Sequence, residues 1–263
     1  MSSHIKCLSK RKLDNKVVLI TGGNSGIGKE TAYQLSLRGA QIIIGCRNIT
    51  KGNEAINDIK SKNPKANIRV FQLDLGSLLS VRKFAQTVAQ HESTIDILIN
   101  NAGVVSYVEL QTEDGFELQF GTNHLGHFLL THLLLPLLKN SQKAKVINVS
   151  SKAHKTGKIH FENINLRNGI FTPLKAYSQS KLANVLFTRE MTRRLGPKSS
   201  ITTYCLHPGI VRTDLNRHFP LQFAINIFIN MFYLDIESGV QTTLYCALDP
   251  SLDNESAFYY ELV

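Results

Sequence analysis

Short runs of β-branched and other apolar residues recur along the chain, and each is followed by a longer stretch whose apolar positions return at helical spacing. The short runs lie at residues 17–21, 41–45, 68–73, 95–100, 145–149 and 201–206, and the longer stretches at 26–38, 50–62, 78–90, 113–138 and 174–195. Apolar runs of about five residues without polar alternation predict strands buried on both faces, as in a parallel sheet covered by helices. Alternation this regular predicts a single doubly wound α/β domain over residues 16–263.

One late stretch departs from this rhythm. In residues 219–234 the polar Gln222, Asn226 and Asn230 fall four apart, so a helix there would carry a narrow polar stripe and a broad apolar face. Residues 215–235 are therefore expected to form an apolar segment that buries itself on a neighbour, a greasy ligand or a membrane surface. At the other end, Lys6, Lys10, Arg11 and Lys12 make residues 1–15 read as a loose basic arm without the apolar core of a secretory signal.

Composition narrows the class. With 263 residues, 43% hydrophobic and 19% charged, the chain matches one sizeable globular domain, which excludes disorder, collagen and coiled coil. Thirty Lys and Arg against twenty Asp and Glu leave a formal net charge of +10, which suits nucleic acid, an anionic membrane surface or a phosphate-rich cofactor. The apolar run at 128–138 is too short to span a bilayer. Cys7, Cys46, Cys205 and Cys246 are widely spaced with no metal-ligand pattern, so no metal is expected, and a reducing, intracellular compartment is.

The first strand leads directly into Gly22, Gly23, Asn24, Ser25, Gly26, Ile27 and Gly28, where the helical pattern begins. Glycines there permit a tight turn and let backbone N–H groups at a helix start approach a pyrophosphate. At the end of the second strand, where a carboxylate would read the ribose hydroxyls of NAD, stand Cys46, Arg47 and Asn48, with Lys51 nearby. The Arg47 fork favours the 2′-phosphate of NADP(H).

Tyr177 and Lys181 stand four apart, on one helix face with Cβ atoms roughly 6 Å from each other. A phenol is a poor base at neutral pH, and a neighbouring ammonium stabilises its ionised form. Ser150 and Ser151 follow the fifth strand, at the sheet edge where a hydroxyl can donate to a substrate oxygen, and Asn123 lies in the preceding long helix.

In these residues the chain resembles the short-chain dehydrogenase/reductase family over nearly its whole length. The resemblance is carried by Gly22 to Gly28, Asp74 with Leu75, Asn101, Ala102 and Gly103, Asn123, Ser151, Tyr177 with Lys181, and Pro208 with Gly209 and Thr213. The surroundings of Asn123, Ser151 and Lys181 are similar to the NADP-dependent retinol dehydrogenase (retinal reductase) subgroup. The resemblance implies a Rossmann-type, mainly parallel seven-stranded sheet flanked by helices, with residues 256–260 as the last strand. It implies reversible hydride transfer between NADP(H) and a lipophilic alcohol or carbonyl, a retinoid first, with the hydride chemistry belonging to the cofactor.

The same resemblance implies that Tyr177 is general acid or base, that Lys181 lowers its pKa and holds the nicotinamide ribose, and that Ser151 polarises the carbonyl. Asn123 would hold a water linking Lys181 to solvent, Asp74 would contact the adenine, Asn101 and Gly103 would lie along the cofactor, and Val211 with Thr213 would meet the carboxamide. It implies a homodimer or homotetramer, cytoplasmic or peripheral on the cytosolic face of the endoplasmic reticulum, with no nucleic-acid partner.

Three departures qualify the match. Relatives usually begin with an apolar anchor, whereas this chain starts on its basic arm, so peripheral membrane contact is expected in place of a spanning helix. Ala257 stands where relatives tend to have glycine, and Val263 ends the chain where relatives continue, which makes an idle NADP-binding scaffold the rival reading. Between Ser151 and Tyr177 lies a long insertion with His154, Lys155, Lys158, His160 and Phe161, expected to run over the surface.

Overall fold

Seven strands, all parallel, form one sheet in the order β3-β2-β1-β4-β5-β6-β7. They are β1 (Val17–Thr21), β2 (Gln41–Cys46), β3 (Asn67–Gln72), β4 (Ile97–Asn100), β5 (Ala144–Val149), β6 (Ile201–His207) and β7 (Tyr259–Glu261). The computed structural model describes residues 6–209 and 235–261, so the expected apolar segment at 215–235, Val211 and Thr213 lie outside the described residues, apart from Asp235. Helices α1 (Gly26–Ser36), α2 (Ile49–Lys62), α3 (Leu78–His91), α4 (Leu118–Phe120), α5 (Gly126–Lys139), α6 (Pro173–Leu195), α7 (Ile236–Gly239) and α8 (Gln241–Leu248) cover the sheet. Among the described residues no helix is long and apolar enough to cross a membrane.

The central strands are apolar throughout because both of their faces are covered. Every residue of β1, β4 and β5 is buried, and the sheet separates two apolar clusters. Ile20, Ile44 and Ile99 pack on one side, with Leu35 and Leu244; Leu19, Ile43 and Leu98 pack on the other, with Phe84 and Leu134. The order of strands reverses at β1 and β4, which opens a crevice at their carboxyl ends.

The helix expected at 113–138 begins later than its apolar spacing suggests. Residues 112–117 fold into a turn in which Gly115 takes φ +79°, and Thr112 and Phe116 pair through their backbones. The buried Glu117 carboxylate then accepts the N–H groups of Gln119 and Phe120 at 2.9 and 2.7 Å, so it caps the helix start. An Asp-Gly pair at 114–115 is an ordinary turn signal that overrides the spacing around it. Between α4 and α5 the chain makes one π-helical turn, Gly121–Leu125, in which the Gly126 N–H reaches the carbonyl of Gly121.

Nor is the basic arm loose over its described part. Leu13 is buried in the core, and the Arg11 fork binds both oxygens of Asp253 at 2.8 and 2.6 Å. The nearly buried Lys145 ammonium completes the cluster, 3.1 Å from Asp253 and 3.3 Å from the carbonyl of Cys246. The Arg11 and Lys145 contacts hold the Asp253 carboxyl down at about 2. Its contribution to stability is therefore complete above the ordinary aspartate value and lost as pH falls from about 4 to about 2. Asp253→Asn is expected to cost about 2 kcal/mol at neutral pH, because Lys145 loses a charged partner in a dry site. Urea unfolding at pH 7 and again near pH 2 checks this, since the gap between variant and parent should close in acid.

Ala257 adopts φ +71°, a left-handed conformation that costs a residue with a Cβ roughly 1 kcal/mol. Its N–H bonds the carbonyl of Thr203 at 2.8 Å, so the lead into β7 holds it there.

Candidate functional site

The crevice begins where β1 ends at Thr21. Gly22 takes φ +68° and Gly26 φ +52°, which lets the chain turn into α1 without a Cβ penalty. Ser25 precedes the helix in extended conformation, and its hydroxyl makes no cap bond. A Cβ on Gly28 would lie 2.4 Å from the carbonyl oxygen of Gly22 and 2.5 Å from Asn101 Nδ2, so this glycine lets the first loop pack on the one after β4. Asn101 faces back toward β1: its side chain donates to the carbonyl of Thr21 at 2.9 Å, while the N–H groups of Asn101 and Ala102 both reach Thr21 Oγ1 at 3.0 Å.

Arg47 leaves the end of β2 exposed, and among the described residues it makes no hydrogen bond or ion pair. Next to it, the Asn48 side chain accepts the N–H of Lys51 at 3.0 Å and caps α2. Asp74 follows β3 and accepts the N–H of Gly76 at 2.8 Å. Leu75 is buried, and its carbonyl would lie 2.5 Å from a Cβ on Gly126, so it packs against the start of α5. Pro208 and Gly209 follow β6, Gly209 with φ +88°. Carboxyl ends of neighbouring strands thus bring the Gly22–Gly28 loop, Arg47, Asp74, Asn101 to Gly103 and Pro208 with Gly209 to one edge.

Tyr177 and Lys181 share a face of α6, with the ammonium 5.5 Å from the centre of the phenol ring. Lys181 is buried, donates to the carbonyl of Val149 at 3.2 Å and has its pKa lowered by burial to about 8. Ser150 donates to the carbonyl of Lys181 at 2.8 Å, so its hydroxyl is occupied by the α6 backbone. Ser151 stands close enough to the Tyr177 phenol to lower its pKa, and its hydroxyl accepts the N–H of Ala153 at 3.2 Å. Burial pushes the phenol above its ordinary value, and the nearby Ser151 only partly offsets it. The phenol therefore holds its proton at neutral pH.

Asn123 occupies the π turn, and its side chain uses both amide hydrogens and one of its two oxygen lone pairs. It donates to the carbonyl of Val104 at 3.0 Å and to Ser180 Oγ at 3.1 Å, and its oxygen accepts the Val104 N–H at 2.7 Å. Its backbone carbonyl accepts from Asn184 Nδ2 at 3.2 Å and lies 3.0 Å from His127 Nδ1. Gly103 faces both groups: a Cβ there would lie 3.5 Å from Lys181 Nζ and 3.6 Å from Asn123 Oδ1. Asn184 and His127 were not read from sequence as site residues. The signal for Asn184 is its place three after Lys181 on the same helical face.

The insertion after Ser151 packs down over α6. A Cβ on Gly157 would strike the Ser178 carbonyl at 2.5 Å, the His160 N–H reaches Gln179 Oε1 at 2.9 Å, and Leu166 is fully buried. β7 supports the same segment, with the Tyr259 ring 4.5 Å from that of His154 and Glu261 paired with Lys152.

Residues 16–222 match the short chain dehydrogenase family. The chain is 44% identical to human retinol dehydrogenase 13 over 261 residues, which cover 97% of this chain and 78% of that one. It is 45% identical to human retinol dehydrogenase 12 over 254 residues, 97% and 80% of the two chains. Among solved structures, an uncharacterised protein from Mycobacterium paratuberculosis is 39% identical and superposes with a TM-score of 0.76 over 95% of this chain and 82% of that one. Salutaridine reductase from Papaver somniferum shares the fold, with a TM-score of 0.75 at 24% identity over 93% and 99% of the chains. By its ordered glycine loop, its Ser151, Tyr177 and Lys181 set and these matches, the chain belongs to the short chain dehydrogenase family, as an oxidoreductase related to the retinol dehydrogenases.

Proposed function

We propose that the protein uses NADP(H) to interconvert a lipophilic alcohol and its aldehyde or ketone, with retinol and retinal as the first pair to test. The observation that carries this reading is the meeting of Ser151, Tyr177 and Lys181 beside the glycine cradle at one edge of the sheet. The cradle suits a dinucleotide: α1 begins on a glycine turn with its N–H groups uncapped by Ser25, and Gly28 leaves no room for a side chain. Gly22, Asn24, Ser25, Gly26, Ile27 and Gly28 would hold the pyrophosphate, Arg47 the 2′-phosphate, and Asp74 with Leu75 the adenine side. Asn101 to Gly103, Tyr177, Lys181 and Pro208 with Gly209 would hold the nicotinamide half. When bound, NADPH supplies the hydride.

The chain's own residues do the rest. Ser151 hydrogen-bonds the carbonyl oxygen and orients it toward the phenol. Tyr177, holding its proton at neutral pH, gives that proton to the same oxygen as negative charge develops on it. Lys181 stands under the ring and steadies the negative charge left behind. A water on the remaining lone pair of Asn123 Oδ1, in the space opposite Gly103, would return a proton toward Lys181. The names of the relatives support the substrate class: human retinol dehydrogenases 12 and 13 are similar over nearly all of this chain.

The test follows NADPH absorbance with all-trans-retinal and a set of medium-chain aldehydes, with NADH for comparison. Turnover is expected with NADPH well above NADH. Binding of NADPH without oxidation by any aldehyde overturns the reading in favour of an idle binding protein.

A further inference from the structure

His127 is buried in α5 one turn beyond Asn123 and bridges two parts of the site. Its Nε2 lies 2.8 Å from Thr21 Oγ1, and its Nδ1 lies 3.0 Å from the carbonyl oxygen of Asn123. The direction of both bonds follows from counting protons and lone pairs. Thr21 Oγ1 already accepts two backbone N–H groups, from Asn101 and Ala102, so what its hydroxyl has left to offer is its own proton. Nε2 must then accept. At the other end the Asn123 carbonyl can only accept, so Nδ1 must carry the hydrogen. Both ends demand the same neutral tautomer, which a neutral imidazole with one N–H satisfies in full.

Burial is the main force keeping this ring neutral, moving its pKa down to about 3. The titratable groups that act on it, Lys181 and His124, push in the same direction. His124 is itself held neutral by burial, at about 4, and its Nδ1 lies 3.1 Å from Asn184 Oδ1. Asn184 is the second donor to the Asn123 carbonyl, at 3.2 Å. The backbone of the π turn is thereby held from two directions by neutral side chains.

We propose that His127 is a positioning residue: with its proton on Nδ1 it ties the loop after β4 to Asn123, through Thr21, and so fixes Asn123 opposite Lys181. The bonds run in one order, from the Asn101 and Ala102 amides to Thr21, from the Thr21 hydroxyl to Nε2, and from Nδ1–H to the Asn123 carbonyl. The proposal rests on the reading of Asn123 and Lys181 as members of the reactive site.

Two measurements test it, and the first does not depend on turnover. In 15N-histidine-labelled full-length protein, His127 should give the neutral Nδ1–H pattern, unchanged between about pH 5 and 8. An Nε2–H tautomer, or titration in that range, overturns the proposal. The second compares His127→Phe with His127→Asn, whose amide nitrogen can take the place of Nδ1 while filling less of the ring's volume. With NADPH and all-trans-retinal, His127→Phe should lower kcat about tenfold, the worth of one buried hydrogen bond, with little change in NADPH affinity. His127→Asn should recover most of that kcat. Equal losses in the two variants, or a loss confined to thermal stability, overturn the positioning role. If His127→Phe does not fold, the spectrum and His127→Asn decide. Wild-type protein inactive toward every aldehyde would instead defeat the proposed reaction, and the tautomer would still be decided by the spectrum.

Discussion

Replacing Tyr177 with phenylalanine is expected to lower kcat by about 10²- to 10⁴-fold, the usual worth of a positioned general acid. NADPH binding should change little, because the substitution removes only the hydroxyl. The ring that meets the Lys181 ammonium at 5.5 Å is kept, and so is the backbone carbonyl that accepts the Ser180 hydroxyl at 2.8 Å. Steady-state assays with retinal and fluorescence titration with NADPH read the two quantities separately. Unchanged turnover would sink the mechanism. A pH profile sharpens the result. Since the phenol sits above its ordinary value, reduction should run at full rate through neutral pH and decline only in alkaline solution. Oxidation of the alcohol, which needs the ionised phenol, should climb over the same alkaline range. Both limbs should be absent from whatever activity Tyr177→Phe retains.

Arg47→Asp should shift the preference for NADPH over NADH by about 10²- to 10³-fold, measured as the ratio of kcat/KM values for the two cofactors. Each hydrogen bond between charged groups contributes about 1.5–3 kcal/mol, and a guanidinium can offer a phosphate two. Arg47 is free for that task because it is exposed at the end of β2 and engages no other group among the described residues. The substitution also creates the carboxylate that suits a ribose with both hydroxyls, so NADH should gain as NADPH loses. Equal kcat/KM ratios in parent and variant would remove Arg47 from the site and leave Lys51 as the next basic group to examine.

Much of this architecture was legible because a parallel sheet writes itself into the chain. Strands covered on both faces must be apolar throughout, and β1, β4 and β5 are. The Tyr177 and Lys181 pair was equally visible, since four residues of helix bring two side chains to one face wherever the helix packs. The long helix starts after 113 because the apolar spacing continues through a turn that Gly115 and the Glu117 cap define. The anchoring of the basic arm is invisible to local spacing because its partners, Asp253 and the carbonyl of Leu248, stand some 240 residues away.

Sequence by itself determined the alternation of strands and helices from β1 to β6, the glycine turn, the placement of Tyr177 over Lys181 and the family, because each depends on neighbours along the chain or on motifs in fixed order. Only the tertiary structure decided which atoms meet. It tied Ser150 to the α6 backbone, set Ser151 beside the phenol, raised Tyr177 by burying it, and joined Thr21, His127 and Asn123 in one line of hydrogen bonds. Those outcomes depend on desolvation and on donor and acceptor pairing between segments far apart in the chain, and local spacing carries no record of either.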